Sequence, residues 1–182
     1  MRKFTTKDLT LAALVAALYT VLSYFGNIFG LTYGPIQCRF AEALCVLPFL
    51  FPATVPGLFV GCLLTNLMST VGALDIVFGS LATLLAALWT ARTPNRLLAP
   101  LPPVVCNGVI IGAMIAWYEV GFGSGFWTAF AFYGVTVALG ELVACYVLGT
   151  LLLTLLPRIP MVRELIPADR LDRLGYKAQP NL

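Results

Sequence analysis

Residues 9–38 have the sequence LTLAALVAALYTVLSYFGNIFGLTYGPIQC, which contains no Asp, Glu, Lys or Arg. A spanning helix needs about 20 predominantly apolar residues, so this stretch predicts a transmembrane helix. Arg39 and Glu42 follow directly, at the start of a second apolar stretch. An ionisable group at membrane depth is costly and commonly marks a functional site. An uncharged apolar stretch followed at once by charged residues therefore indicates a membrane protein with a polar site near Arg39.

The whole chain has the composition of an integral membrane protein. Of its 182 residues, 60% are hydrophobic and 10% are charged, with a mean hydropathy of +0.93, whereas soluble domains carry about 25% charged residues. The net charge of +3 is small, so nucleic acid is not an expected partner. Histidine, the commonest metal ligand and general base, is absent from the sequence. We therefore predict no metal site, no cofactor and no enzymatic activity.

The five cysteines lie in apolar surroundings and show no CxxC spacing. This pattern predicts small buried hydrophobic side chains rather than a disulfide framework. The residues concerned are Cys38, Cys45, Cys62, Cys106 and Cys145.

Prolines and charges divide the chain into six predicted helices. Pro52 and Pro56 interrupt the long apolar stretch 43–74, because proline ends or kinks a helix. Together with a first helix that begins at Leu9, these breaks predict helices over residues 36–51, 57–71, 74–91, 101–118 and 125–156. We therefore predict an all-α integral membrane protein, whose six-transmembrane-helix bundle occupies residues 1–157.

The basic residues support this count and set the orientation. Cytoplasmic loops of membrane proteins carry an excess of Lys and Arg. With six spans and a cytoplasmic N-terminus, every Lys and Arg except Arg39 falls on the cytoplasmic side. Joining 43–74 into a single span would move Arg92 and the basic C-terminal residues outside. We therefore predict that both termini are cytoplasmic and that residues 158–182 form a polar cytoplasmic tail, with a short amphipathic helix around 163–174.

Polar residues from several elements lie toward the outer side in this arrangement. They are Gln37, Arg39, Glu42, Asn66, Asp75, Asn107 and Glu141. Each alone is open to a structural interpretation, since Arg39 can pair with Glu42 or Asp75, and Asp75 can cap its helix. Together they favour a pocket for a small, nitrogen-rich solute, because carboxylates accept paired N–H bonds and neutralise cations.

The first helix carries two pairs of alanines spaced four residues apart, Ala12 with Ala16 and Ala13 with Ala17. Small residues at this spacing lie on one face and allow another helix to approach closely. That neighbour is either another helix of the same bundle or a partner membrane protein. The pattern leaves both open, and we predict the four alanines as a candidate docking face for a partner.

Several segments resemble a known family. The size, the predicted topology and the alanine pairs are similar to those of the S components of energy-coupling factor (ECF) transporters. Residues 34–44, GPIQCRFAEAL, resemble the GPIQxRxxEAL signature of the QueT family. Further similar segments are PGLFVGC at 56–62, DIVFGSLAT at 75–83, Asn107-Gly108 and Gly140-Glu141.

The resemblance implies an S component that binds queuosine precursors in a prokaryotic plasma membrane. These solutes are 7-deazaguanines such as preQ1, preQ0 or queuine. The implied partners are a membrane coupling subunit and two cytoplasmic ATPases, and the chain itself has no GxxxxGK[ST] loop. Glu42 or Glu141 would accept the base edge, and Asn66 or Asn107 would meet the other polar edges. Asp75 or the second glutamate would hold a cationic aminomethyl group.

Three alternatives remain at this point. The first is an S component for another vitamin-like solute. The second is a membrane enzyme with Glu42, Asp75 and Glu141 as acid–base groups, which the absence of histidine disfavours. The third is a structural membrane subunit whose polar groups hold the bundle together.

Overall fold

The computed structural model describes residues 4–28, 40–67 and 72–175, and this part of the chain is helical without a strand. The 3₁₀ helix Phe40–Phe49 is called the central 3₁₀ helix below. The elements in chain order are α1 (Thr6–Ile28), the central 3₁₀ helix, a 3₁₀ turn (Pro52–Thr54), α2 (Val55–Asn66), a π-helical turn (Asp75–Gly79), α3 (Ser80–Thr90), α4 (Leu101–Val120), α5 (Phe126–Leu142), a π-helical stretch (Val143–Gly149), α6 (Thr150–Leu155), a 3₁₀ turn (Leu156–Arg158), α7 (Pro160–Arg163) and α8 (Ala168–Arg173).

The all-helical prediction is confirmed. Within the described residues, the helices that are long and apolar enough to cross a membrane are Thr6–Gly26, Leu101–Val120 and Phe126–Arg158. Shorter apolar helical stretches lie at Phe40–Phe49, Pro52–Asn66 and Asp75–Thr90. These stretches correspond to the predicted helices, whereas the six spans and the orientation of the termini stay predictions.

Prolines and a glycine set the ends of two helices. Pro56 lies in the first turn of α2, and Pro102 and Pro103 lie in the first turn of α4. Proline is tolerated there because the missing N–H would have no intrahelical acceptor. Gly121 ends α4 with φ 63°, a left-handed conformation that glycine adopts without steric cost.

The second helix departs from the prediction of a short helix over 36–51. Its described part is the central 3₁₀ helix, which contains Pro48 and is buried from Ala41 to Phe49. Residues 29–39 lie outside the described part of the chain. Runs of 3₁₀ helix longer than about four residues are uncommon, so this helix of 10 residues depends on the packing around it.

Glycines bring α1 and α2 into close contact. A Cβ on Gly57 would lie 2.2 Å from the carbonyl oxygen of Ala12, and one on Gly61 would lie 2.8 Å from that of Ala16. Close approach of this kind is the usual role of small residues between membrane helices. The pair Ala12 and Ala16 is therefore used inside this bundle.

The described part of the predicted tail packs against the bundle. Within the predicted amphipathic helix around 163–174, the structure has the short helix α8, and α7 ends at the first residue of this range. Ile166, between them, is buried in a core cluster with Val46 and Phe49 of the central 3₁₀ helix and with Leu50, which directly follows it. This contact joins the C-terminal part of the chain to the element that carries Glu42.

Candidate functional site

Five of the seven predicted site residues lie in the described part of the chain, and all five are buried. They are Glu42, Asn66, Asp75, Asn107 and Glu141. Gln37 and Arg39 lie outside the described residues. The buried five fall into two groups, each of which has further polar partners.

The first group is built around Glu42, near the start of the central 3₁₀ helix. The side chain is only 1% exposed. The hydroxyl of Tyr19 on α1 donates to Glu42 Oε1, and the thiol of Cys45, one 3₁₀ turn further on, donates to Oε2 at 3.0 Å. Both carboxylate oxygens therefore have a donor from this chain.

Glu141 at the end of α5 forms the second half of this group. Asn107 Nδ2 on α4 donates to Glu141 Oε1 at 2.9 Å. The Cys145 Sγ lies 3.7 Å from Glu141 Oε2 and 3.4 Å from the backbone oxygen of Glu42. Cys145 thus joins the two glutamates. We call this group the carboxylate cluster: Tyr19, Glu42, Cys45, Asn107, Glu141 and Cys145.

The second group surrounds Asn66 at the end of α2. Its Nδ2 lies 3.0 Å from the backbone oxygen of Asp75, 3.5 Å from Ser80 Oγ and 3.3 Å from Cys62 Sγ. The Thr83 hydroxyl donates to the same sulfur at 3.2 Å. We call this group the amide cluster: Cys62, Asn66, Asp75, Ser80 and Thr83.

One buried acceptor atom of the amide cluster has no donor among the described residues. Among the described residues, none donates to Asn66 Oδ1, which is buried. A buried acceptor without a partner costs about 1–3 kcal/mol, and such atoms in native proteins call for an explanation such as water or a ligand. Asn66 Oδ1 is therefore a candidate acceptor for an N–H group from outside the chain.

Gly79 allows the amide cluster to form. A Cβ at this position would lie 2.6 Å from Asn66 Nδ2 and 2.9 Å from Asp75 Oδ1. Asp75 is the first residue of the π-helical turn, whose N-cap is Leu74. The alternative interpretation of Asp75 as a helix N-cap is therefore wrong, because the helix already begins before it.

The two clusters share one hydrophobic core. Tyr19 and Cys45 of the carboxylate cluster pack in the same buried group as Cys62 of the amide cluster. In the part of the chain that the structure describes, no group of three or more His, Cys, Asp or Glu side chains has the arrangement to hold a metal ion. The clusters offer carboxylate and amide oxygens, which accept N–H donors and neutralise positive charge.

Two cavities in the described part of the chain lie away from both clusters. One of about 660 Å³ is bounded by the start of α1, by the turn after the central 3₁₀ helix and by residues 164–170. Another of about 200 Å³ lies between the end of α3 and the start of α4. Neither is lined by a member of the carboxylate or amide cluster.

Several members of the two clusters were not predicted from the sequence. The cysteines were interpreted as buried hydrophobic residues, and Cys45, Cys62 and Cys145 are indeed buried. They also act as polar partners, which spacing could have indicated. Cys45 follows Glu42 by three residues and Cys145 follows Glu141 by four, and both separations place side chains on one helix face.

The structure separates the two alanine pairs predicted as a docking face. Ala12 and Ala16 are buried between α1 and α2, so they are not available to a partner. Ala13 and Ala17 are exposed, and Leu14 and Leu18 beside them are exposed as well. Of the four alanines, Ala13 and Ala17 are therefore the ones accessible to a partner, and their contact with a partner stays a prediction.

Most of the chain matches one known protein family. The family described as QueT transporter matches residues 9–158. The chain belongs to the QueT transporter family. The family resemblance seen at residues 34–44 is thereby confirmed, and because the family is one of transporters, the prediction that the chain is not an enzyme is confirmed too.

A curated relative carries a more specific name. The queuosine precursor transporter QueT of Lactococcus lactis subsp. cremoris (strain MG1363) is 34% identical to this chain over 84 residues. The match covers 46% of this chain and 49% of that protein, so it spans about half the length of the relative. No solved structure matches this chain. Family and apolar helices together indicate a membrane transport protein.

Proposed function

We propose that this chain is the substrate-binding S component of an ECF-type uptake transporter in a prokaryotic plasma membrane. It binds a 7-deazaguanine queuosine precursor, such as preQ1, preQ0 or queuine, from outside the cell. Membership of the QueT transporter family supports a transport role, and the name of the Lactococcus relative supports the solute class. The proposed bundle has six spans with both termini in the cytoplasm.

The observation that carries the choice of solute is that two buried glutamates, Glu42 and Glu141, lie beside one another: Cys145 Sγ is 3.7 Å from the Glu141 carboxylate and 3.4 Å from the backbone oxygen of Glu42. A guanine-like edge presents two parallel N–H donors, and one carboxylate can accept both. A second carboxylate close by suits a cationic aminomethyl group. Two buried carboxylates therefore favour a donor-rich, positively charged ligand over an acceptor-rich one.

Each described cluster has a role in this proposal. Glu141, with Asn107 beside it, offers an acceptor and a donor and is assigned to the base edge. Glu42 is assigned to the cationic group, since carboxylate oxygens can accept more bonds than the two from Tyr19 and Cys45.

The amide cluster is assigned to the rest of the ligand. Asn66 Oδ1 is assigned to one further N–H group of the solute, because it is buried and accepts nothing from the described residues. Asp75 lies beside Asn66 and belongs to the same part of the pocket. Gln37 and Arg39 complete the proposed lining on grounds of sequence alone.

The proposed partners are a membrane coupling subunit and two cytoplasmic ATPases. Ala13 and Ala17 on the exposed face of α1 would contact the coupling subunit. Replacing both by leucine should leave solute binding intact and abolish co-purification with the coupling subunit. Ala12→Leu should instead destabilise the isolated chain, because Ala12 is packed against Gly57. Unchanged assembly of the double variant would contradict the docking face.

The experiment that tests the function is calorimetric titration of the purified protein in detergent. The ligands are preQ1, preQ0, queuine and guanine, with riboflavin and biotin as controls. One-to-one binding of a deazaguanine alone is the expected result. Binding of a control vitamin would assign the chain to transport of another vitamin-like solute. A folded protein that binds none of them would favour a non-transport membrane subunit.

A further inference from the structure

The C-terminal segment 160–174 packs against the C-terminal end of the central 3₁₀ helix. Ile166 is 4% exposed and lies in a core cluster with Val46, Phe49 and Leu50. Leu171 of α8 and Leu174, which directly follows α8, pack against the same cluster. The segment therefore shares a core with the helix that carries Glu42 in its first turn and Cys45 in its middle.

Arg170 ties this segment to two helix ends. Its Nη1 donates to the backbone oxygen of Phe49 at 3.3 Å and to that of Ala91 at 2.7 Å. Phe49 is the last residue of the central 3₁₀ helix, and Ala91 is the C-cap of α3. Carbonyl groups at helix ends have no intrahelical donor, so one guanidinium satisfies acceptors from two separate elements.

The Arg170 side chain is largely buried where it bonds to these two helix ends. Its side chain is 12% exposed, whereas Asp169, whose Oδ2 lies 3.2 Å from Arg170 Nε, is 64% exposed. Burial, with the nearby Arg173 guanidinium as a second cause, lowers the pKa of Arg170 from its usual value. An arginine nonetheless stays charged in proteins, so its bonds to the backbone oxygens are charge-assisted.

The central 3₁₀ helix needs such external support. It has 10 residues, although 3₁₀ runs beyond about four residues are uncommon because their hydrogen bonds have poorer geometry. Its N-terminal half packs against Tyr19, and its C-terminal half packs against the C-terminal segment. A rise of about 2 Å per residue places Phe49 roughly 14 Å along the axis from Glu42.

We propose that Arg170 is a positioning residue for the candidate ligand site, which holds the central 3₁₀ helix in place and thereby sets the position of Glu42. The positioning role concerns the helix itself, and its consequence for ligand affinity rests on the proposed function. Arg170 touches neither Glu42 nor Cys45, so it acts only through the helix backbone.

The matched control for Arg170 is Arg173. Arg173 Nη1 donates to the backbone oxygen of Thr93 at 3.0 Å, in the loop after α3. Both arginines belong to α8 and each fixes the segment to the bundle, but only Arg170 bonds to the central 3₁₀ helix. Arg170→Ala and Arg173→Ala therefore separate loss of segment packing from loss of helix positioning.

The test compares thiol alkylation at Cys45 with that at Cys62 in the full-length protein, by mass spectrometry. Both side chains are buried, and Cys62 lies on α2, away from the segment. Arg170→Ala should raise the Cys45 rate about tenfold, the size expected for loss of one charge-assisted bond, while the Cys62 rate stays constant. Arg173→Ala should change neither rate. Arg170→Lys, which keeps a cationic donor, should give an intermediate Cys45 rate.

Ligand affinity supplies the second readout. Arg170→Ala should weaken deazaguanine binding about tenfold, and Arg173→Ala should not. An unchanged Cys45 rate in Arg170→Ala, an equal rise at Cys62, or an equal Cys45 rise in Arg173→Ala would overturn the positioning role. If Cys45 responds as expected but the wild type binds no deazaguanine, the positioning of the helix stands and the proposed function fails.

Discussion

The carboxylate cluster and the amide cluster differ in how far the chain satisfies its own polar atoms. Both oxygens of Glu42 receive a donor, from Tyr19 and from Cys45. In the described residues, by contrast, nothing donates to the buried Asn66 Oδ1. In the proposed function, Glu42 would contribute to folding as well as binding, whereas Asn66 Oδ1 would gain a donor from the ligand. The two clusters should therefore respond differently to substitution.

Glu42→Ala should have the largest effect on both folding and binding. It leaves the Tyr19 hydroxyl and the Cys45 thiol without their acceptor in a buried site. We expect a loss of about 3 kcal/mol in the free energy of unfolding, since each stranded donor costs about 1–3 kcal/mol, and no measurable deazaguanine binding. Thermal unfolding in detergent and calorimetry measure the two effects.

The control for this substitution is Glu119→Ala, which removes an exposed carboxylate at the end of α4. An exposed position away from such contacts should change stability by less than about 0.5 kcal/mol. If Glu42→Ala is no more destabilising than this control, the bonds assigned to Glu42 are not those of the folded protein.

Gly79→Ala should have the next largest effect, because the added Cβ would lie 2.6 Å from Asn66 Nδ2. The amide must move, which breaks its bond to the Asp75 carbonyl. Overpacking of this kind costs about 1–3 kcal/mol, and binding should weaken at least tenfold. Gly123→Ala is the matched control, since its Cβ would meet only Val120 O at 3.8 Å. Equal behaviour of the two variants would remove Gly79 from the site.

Asn66→Ala should distinguish the amide cluster from the carboxylate cluster, because its effect on binding should exceed its effect on folding. The substitution loses the bond to the Asp75 carbonyl but also removes an acceptor that no described residue satisfies. We expect about 1 kcal/mol lower stability and about tenfold weaker binding. Thr65→Ala, at the neighbouring position on α2, serves as the control. A variant that loses stability but binds normally would make the amide cluster purely structural.

Ser80→Ala should have the smallest effect. Its hydroxyl lies 3.5 Å from Asn66 Nδ2, at the limit of hydrogen bonding, and Asn66 keeps its shorter bond to the Asp75 carbonyl. We expect less than about 1 kcal/mol of lost stability and less than a threefold change in affinity. A loss as large as that of Asn66→Ala would show that the hydroxyl itself contacts the ligand.

The placement of the helices could be predicted because it depends on local chemistry. Pro52 and Pro56 divide one long apolar stretch, and Gly121 ends α4 close to the predicted residue. The central 3₁₀ helix could not be recognised as such. A buried apolar segment of 10 residues fits an α-helix equally well on sequence alone, and its 3₁₀ geometry depends on the packing at both ends.

The site was predictable in its ionisable members but not in its grouping. Glu42, Asp75 and Glu141 stood out because charges are rare in apolar stretches. Their division into two clusters depends on which helices are neighbours, as does the bond between residues as distant in sequence as Asn107 and Glu141. Tyr19 gave no signal of its own, because aromatic side chains are ordinary components of membrane helices. Cys45 and Cys145 could have been indicated only by their spacing of three and four residues from the glutamates.

The proposed binding of a deazaguanine by Glu141 is tested by calorimetric titration of preQ1 into the wild type and into Glu141→Gln under the same conditions. The substitution keeps the size of the side chain and removes the charge and one acceptor from the carboxylate cluster. We expect one-to-one binding by the wild type and about hundredfold weaker binding by the variant, the cost of one buried charged hydrogen-bonding partner. Equal binding by wild type and a folded Glu141→Gln variant would contradict it.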